Sequence, residues 1–123
     1  MKIRIALAIG LLASCSLVPG ALGDPVPARW ALAAPAGVAD TQLSLTVYEV
    51  PCSSGAPIEG RTEEPRVEMG ATTVTVTIRI RQRLGTQTCP LHPWPLTVLL
   101  PEPLGNRQLL DGGRVPPAPP EGL

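Results

Sequence analysis

Residues 72–83 (TTVTVTIRIRQR) leave this chain little choice of fold. Val74, Val76, Ile78 and Ile80 fall on one side of an extended backbone, and Thr73, Thr75, Thr77, Arg79 and Arg81 on the other. β-Branched side chains fill seven of the eight positions from Thr73 to Ile80. Such side chains crowd a helical turn and suit a pleated, half-buried surface. The stretch therefore reads as a strand with one buried face. Gln42 to Val50 repeats the pattern, with Leu43, Leu45 and Val47 alternating against Ser44, Thr46 and Tyr48. Leu96 to Leu100 is another strand, and Pro65 to Met69 a shorter one. The latter is expected to pair with 72–82 as a hairpin across Gly70-Ala71, a two-residue connection of the Gly-X kind. Phe is absent and only one Tyr and two Trp are present, so the core must be aliphatic. The expected fold class is all-β: a small, mainly antiparallel β-sandwich of immunoglobulin-like type with five to seven strands.

Proline spacing refines one of these strands. Pro93, Pro95, Pro101 and Pro103 all occupy odd positions. Alternate amides of a strand point to the same edge, so an extended run here loses its donors from one edge only. Proline is tolerated in sheets on such outward edges. The run is expected at a sheet edge, paired with one neighbour. Gly105-Asn106 then suits a type II′ turn, and Arg107 to Leu110 is expected to return as a short strand. Arg107 and Asp111 flank that strand and are placed to brace its ends.

The N-terminus carries an export signal. Lys2 and Arg4 precede a short apolar run, Ile5 to Leu12, well under the ~20 residues that span a bilayer. Two processing sites compete. Leu12-Ala13-Ser14-Cys15 has the form of a bacterial lipobox, with Cys15 as the lipidated residue; Ala21-Leu22-Gly23 has the form of an ordinary signal-peptidase site. The organisation read from this is a signal peptide at 1–23 (or one ending before Cys15), an Ala/Pro-rich linker at 24–40, a β-domain at 41–112 and a disordered Pro-rich tail at 113–123. Within the linker, Trp30 is placed to dock on the domain as a short strand. From Cys15, a polyproline-like tether of about 25 residues would reach ~75 Å.

Either processing route leaves Cys52 and Cys89 as the remaining thiols. Export places them in an oxidising compartment, where a disulfide is expected. With 36 residues between them, the bridge stabilises the fold by ~4 kcal/mol in the chain-entropy model. His92, in Leu91-His92-Pro93-Trp94, is the chain's one histidine and cannot complete a usual zinc set. No Ser stands in a nucleophile-elbow setting and no Gly-rich phosphate loop is present. The chain reads as a non-enzyme with no cofactor or metal. After removal of Lys2 and Arg4, eight Arg face ten Asp plus Glu, a net charge of −2 that gives no basic field for nucleic acid. The Arg79, Arg81 and Arg83 stripe reads as a solvated face balanced by Glu63, Glu64 and Glu68.

The segment Cys89…Leu96-Thr97-Val98-Leu99-Leu100-Pro101-Glu102-Pro103-Leu104-Gly105-Asn106-Arg107…Asp111-Gly112 resembles the C-terminal signature of a family of small bacterial secreted and lipoprotein β-domains. In that family a cysteine precedes a strand, followed by Pro-Leu-Gly-Asp-Arg and a downstream Asp; Asn106 stands here in place of the Asp. The resemblance covers roughly residues 41–112, with its specific part in the last third. It implies an exported all-β domain with a disulfide, and no activity. The function expected is a non-catalytic envelope or surface module, lipid-anchored through Cys15 or else soluble in the periplasm or outside the cell. It would bind a protein, glycan or small ligand, or act as structural support. The alternative is a secreted hydrolase inhibitor, with His92 and Trp94 in a contact loop.

Overall fold

The computed structural model describes residues 22–50, 57–83 and 92–120. Eight strands follow in order: β1 (Leu22–Pro27), β2 (Arg29–Leu32), β3 (Gln42–Tyr48), β4 (Arg66–Met69), β5 (Thr73–Thr77), β6 (Arg79–Arg83), β7 (Pro93–Leu99) and β8 (Gln108–Asp111). One sheet has the order β2-β3-β7 and another β4-β5-β8, while β1 pairs with β6. The protein is an all-β sandwich, as the alternating segments require. The inward sets Leu43, Leu45, Val47 and Val74, Val76, Ile78, Ile80 are all buried, together with Trp30, Val98, Leu100 and Leu104.

Stretch 72–83 keeps its predicted inner face but not its predicted continuity. At Ile78 the chain leaves one sheet for another: β5 pairs with β4 and β8, and β6 pairs with β1. Ala28 does the same between β1 and β2, and its amide donates to the Ile78 carbonyl (2.8 Å). The two crossing points meet, which is how a small sandwich turns a corner without losing a backbone partner.

The expected linker at 24–40 is corrected by this arrangement. Its first half is β1 and β2, with Ala28 and Trp30 among the most buried side chains. Pro25 and Pro27 do not prevent pairing, because the Ala28 amide faces the β6 side and by alternation the nitrogens at 25 and 27 face away. The described part of the expected tail is also folded: Asp111 donates its amide to the Ala118 carbonyl (2.7 Å).

The 66–69/73–77 hairpin forms, one residue out of the expected register. Gly70 pairs with Thr73 (N···O 2.7 Å), so Ala71 and Thr72 are the loop residues, and neither has positive φ. Strand β8 differs more. It does not return along β7 but crosses to the other sheet and pairs with β5 in parallel, Val74 beside Leu109 and Val76 beside Asp111. The crossing begins at Leu104–Arg107, where Gly105 has φ +65°, Asn106 lacks positive φ and the Arg107 amide faces the Leu104 carbonyl (3.4 Å). That combination fits the expected type II′ turn.

Strand β7 lies at a sheet edge and pairs with β3 alone among the described residues. Leu100 donates to the Thr41 carbonyl (2.8 Å), so even-numbered amides face β3 and the ring nitrogens of Pro93 and Pro95 face outward.

At the far end of β3 the inward position falls on Glu49. It is 1 % exposed and meets the 6 % exposed Arg61 in a two-pronged ion pair, Nη1–Oε2 3.0 Å and Nη2–Oε1 2.9 Å. Arg61 Nε and Nη1 also donate to the Pro57 and Arg81 carbonyls, both at 3.0 Å. A turn from Ile58 to Arg61, with Gly60 at φ +77°, delivers the guanidinium. Deleting one partner strands a buried charge, so Glu49→Ala is expected to cost about 3–5 kcal/mol in urea denaturation. The double change Glu49→Leu with Arg61→Met is expected to recover most of that loss.

Candidate functional site

Where the edges of the two sheets come together, one carboxylate organises the backbone. In β2 the amide of Ala33, just beyond the strand, donates to Ser44 of β3, so the Trp30 amide faces away from β3. It lies on the side of the Asp111 carboxylate, at the end of β8 in the opposite sheet, and favours the ionised form of that group. Asp111 is fully buried. Its Oδ1 accepts the Gly113 amide at 2.8 Å, and its Oδ2 lies 3.7 Å from Arg114 Nε. The indole of Trp30 adds a second tie, Nε1 to the Val76 carbonyl at 3.0 Å. Gly112 and Gly113 are needed for this approach. A Cβ at Gly112 would lie 2.0 Å from Thr77 Oγ1, and one at Gly113 3.0 Å from the Ala28 carbonyl oxygen.

Beside this junction is an open depression of about 540 Å³, lined by Val26, Pro27, Ala28, Arg29, Val50 and Gly113. Its walls come from the β1–β2 crossing, the residue after Glu49 and the turn after β8. The lining is mainly apolar, with the guanidinium-bearing Arg29 as its one charged member. This is the general character of a small-ligand site: apolar walls with a few placed polar groups.

The residues singled out in the sequence are distributed around the molecule. His92 is exposed and stacks on Trp94, centroids 4.1 Å apart and planes 19° apart. Trp94 sits in β7, half-buried against the core, so this part of the expected contact loop is strand. His92 Nδ1 lies 2.9 Å from the Pro93 carbonyl oxygen. Gly105 and Asn106 form the turn described above. The expected Arg107–Asp111 brace is not formed. Four residues of strand separate the two by about 13 Å, and each has nearer partners. Arg107 donates to the Gly70 and Pro103 carbonyls (2.8 and 3.1 Å) and pairs with Glu102; Asp111 takes Gly113 and Arg114. Arg107 thus braces the β4–β5 hairpin against the turn. In the arginine stripe, Arg79 Nη2 donates to the Pro25 carbonyl (3.1 Å). Cys15, Cys52 and Cys89, and with them the lipidation site and the disulfide, lie outside the described residues. Comparisons with protein-family models, characterised proteins and solved structures find no match to this chain.

Sequence reasoning passed over Glu49, Arg61 and the Asp111–Trp30 contact. Glu49 did carry a signal: it continues the inward parity of Leu43, Leu45 and Val47, so the alternation itself places a carboxylate in the core. Nothing local marks Arg61, whose partner lies 12 residues back.

Burial pushes the Asp111 carboxyl up from its ordinary value of 3.8, against the Gly113 amide, the Arg114 charge and the Trp30 amide, which favour the ionised form. The folded chain therefore holds this proton more tightly than the unfolded one. The resulting stabilisation is complete below the unfolded value near 3.8 and is lost as pH rises through the higher folded value. Asp111→Asn does not titrate. Its stability relative to the parent is expected to increase as pH rises through that window and then level off, read from urea midpoints between about pH 3 and 7. A constant gap across that range would mean an unshifted carboxyl.

Proposed function

We propose that this chain is a non-catalytic, exported binding module of the cell envelope, and that its ligand occupies the depression bounded by Val26–Arg29, Val50 and Gly113. The observation that carries the reading is the depression itself: concave, mainly apolar and built on strand ends held by buried polar contacts. Fixed walls of this kind lower the ordering cost of binding. The ligand that fits is a small, largely apolar molecule or group. The inhibitor reading draws on the exposed His92 ring stacked on Trp94, a contact surface on the body of β7.

Attachment through Cys15 agrees with where the fold begins. Cleavage after Gly23 would cut within β1, whereas processing before Cys15 leaves β1 whole. Six residues then separate the anchor from β1, a span of at most ~20 Å. The domain would stand close to the membrane rather than on a long stalk. Intact mass of the native protein is expected to show a diacyl or triacyl chain starting at Cys15, and a gain of two hydrogens on reduction of Cys52–Cys89. A chain starting at Asp24 without lipid would remove the anchor from the proposal.

The ligand site has its own test. Anilinonaphthalene sulfonate, apolar with one anionic group, is expected to bind the native fold with enhanced fluorescence. Val50→Trp fills the depression and is expected to weaken that binding at least tenfold at an unchanged melting temperature. Equal binding by the two proteins would move the site elsewhere.

A further inference from the structure

The sandwich treats its flanks unequally. On one, the edges are guarded: the outward Trp30 amide of β2 lies beside the Asp111 carboxylate, and the Asp111 amide of β8 donates to the Ala118 carbonyl. Strand β1 is blunted by Pro25 and Pro27. On the other flank, β7 and β4 are the end strands of their sheets among the described residues. A groove of about 240 Å³ runs between them, lined by Glu64, Pro65, Val67, Thr97, Val98 and Leu99. The outward groups of β7 belong to its odd residues. Pro93 and Pro95 have no amide to offer, so its outward donors are the amides of Thr97 and Leu99, next to their own outward carbonyls. The Leu99 side chain beside them is 71 % exposed, a large apolar group in open solvent.

The sequence around this edge is symmetric about Val98. Thr97 and Leu99 lie one residue either side, Pro95 and Pro101 three, and Pro93 and Pro103 five, with Pro101 and Pro103 past the end of β7. We infer that the β7 edge is a self-association surface, on which a second copy of this chain pairs antiparallel about Val98. In that register Thr97 of one copy faces Leu99 of the other, and each pair exchanges two hydrogen bonds. All four outward amides find acceptors across a two-fold axis, and Val98 meets its counterpart on the groove side. Beyond this window Pro95 and Pro93 offer no donors on one side and the strand ends at Leu99 on the other, so the ladder stops in both directions. The result is a closed isologous dimer rather than a growing ribbon. An unrelated extended peptide matches the two donors but brings no two-fold match of Thr97 to Leu99. So short a ladder belongs with weak, concentration-dependent interfaces.

The test uses the exported, processed protein. Sedimentation velocity from about 10 µM to 1 mM is expected to show one chain passing to two, as weak interfaces do. Over the same range, exchange of the Thr97 and Leu99 amides is expected to slow at least tenfold. Thr97→Pro removes a donor that takes no part in pairing with β3. It is expected to remain monomeric throughout, with its melting temperature and the protection of Leu96, Val98 and Leu100 unchanged. Should that variant fail to fold, Leu99→Lys decides: it alters no amide, places like charges diagonally across the axis and is expected to weaken association at least tenfold. A parent that stays monomeric to 1 mM overturns the proposal, as does a dimer that survives the folded Thr97→Pro variant or Leu99→Lys. Thr97 and Leu99 protection independent of concentration also overturns it, since something within one chain would then cover the edge.

Discussion

The carbonyl of Val76 accepts two hydrogen bonds, one from the Gly112 amide (2.9 Å) at the end of β8 and one from the Trp30 indole (3.0 Å) of the facing sheet. With the Asp111 carboxylate one strand away, it locks the two sheets at a fixed spacing. Hydrophobic contact alone does not set such a spacing, because apolar burial is non-directional. The inner faces here are largely Val, Leu and Ile, and one large aromatic side chain is fully buried. That chain carries the hydrogen bond. The glycines at 112 and 113 follow from the same constraint, since side chains there would hold β8 away from Thr77 and Ala28.

A single parity rule governs proline in this fold. Pro25 and Pro27 in β1 and Pro93 and Pro95 in β7 all occupy positions whose nitrogens point away from the partner strand. A proline-rich chain can thus be almost wholly β, provided its prolines fall in step with the ladder. The rule also sorts the edges. Some are blunted, the Asp111 amide of β8 is taken by Ala118, and β7 keeps a two-amide window. Placement of proline, more than its abundance, separates a shielded edge from one able to pair.

The same rule explains what the sequence disclosed. Alternation over 42–48 and 73–80 announced both strands and their inner faces, and odd-numbered proline announced the edge position of β7. The first strands were hidden because Asp24 to Leu32 has the composition of a linker. Its prolines suggested polyproline extension, although the parity applied to 93–103 applies equally there. Stretch 72–83 was legible as extended but not as divided, because a change of sheet at Ile78 leaves the alternation intact. The parallel pairing of β8 was invisible for a different reason. A tight Gly-Asn turn signals a reversal but does not say which strand receives the returning chain. Arg107 and Asp111 are close in sequence, and strand geometry still keeps them apart. Their actual neighbours, Glu102 with Gly70 and Trp30 with Arg114, include contacts tens of residues away that no local pattern encodes.

Two buried ionic groups in so small a core need a reason beyond stability, since a well-packed apolar replacement is often at least as stable as a buried ion pair. Position supplies one. Glu49 precedes Val50, and Asp111 lies two residues before Gly113; both neighbours line the depression beside the β1–β2 crossing. Each group meets backbone or charge from a different part of the chain, Arg61 with its carbonyl contacts in one case and Trp30 with Gly113 in the other. Directional contacts of this kind fix where a strand end stops, which aliphatic packing leaves loose. The walls of the depression are therefore defined by the least hydrophobic residues of the core, and changes at Glu49 or Asp111 act on the shape of the site as well as on the fold.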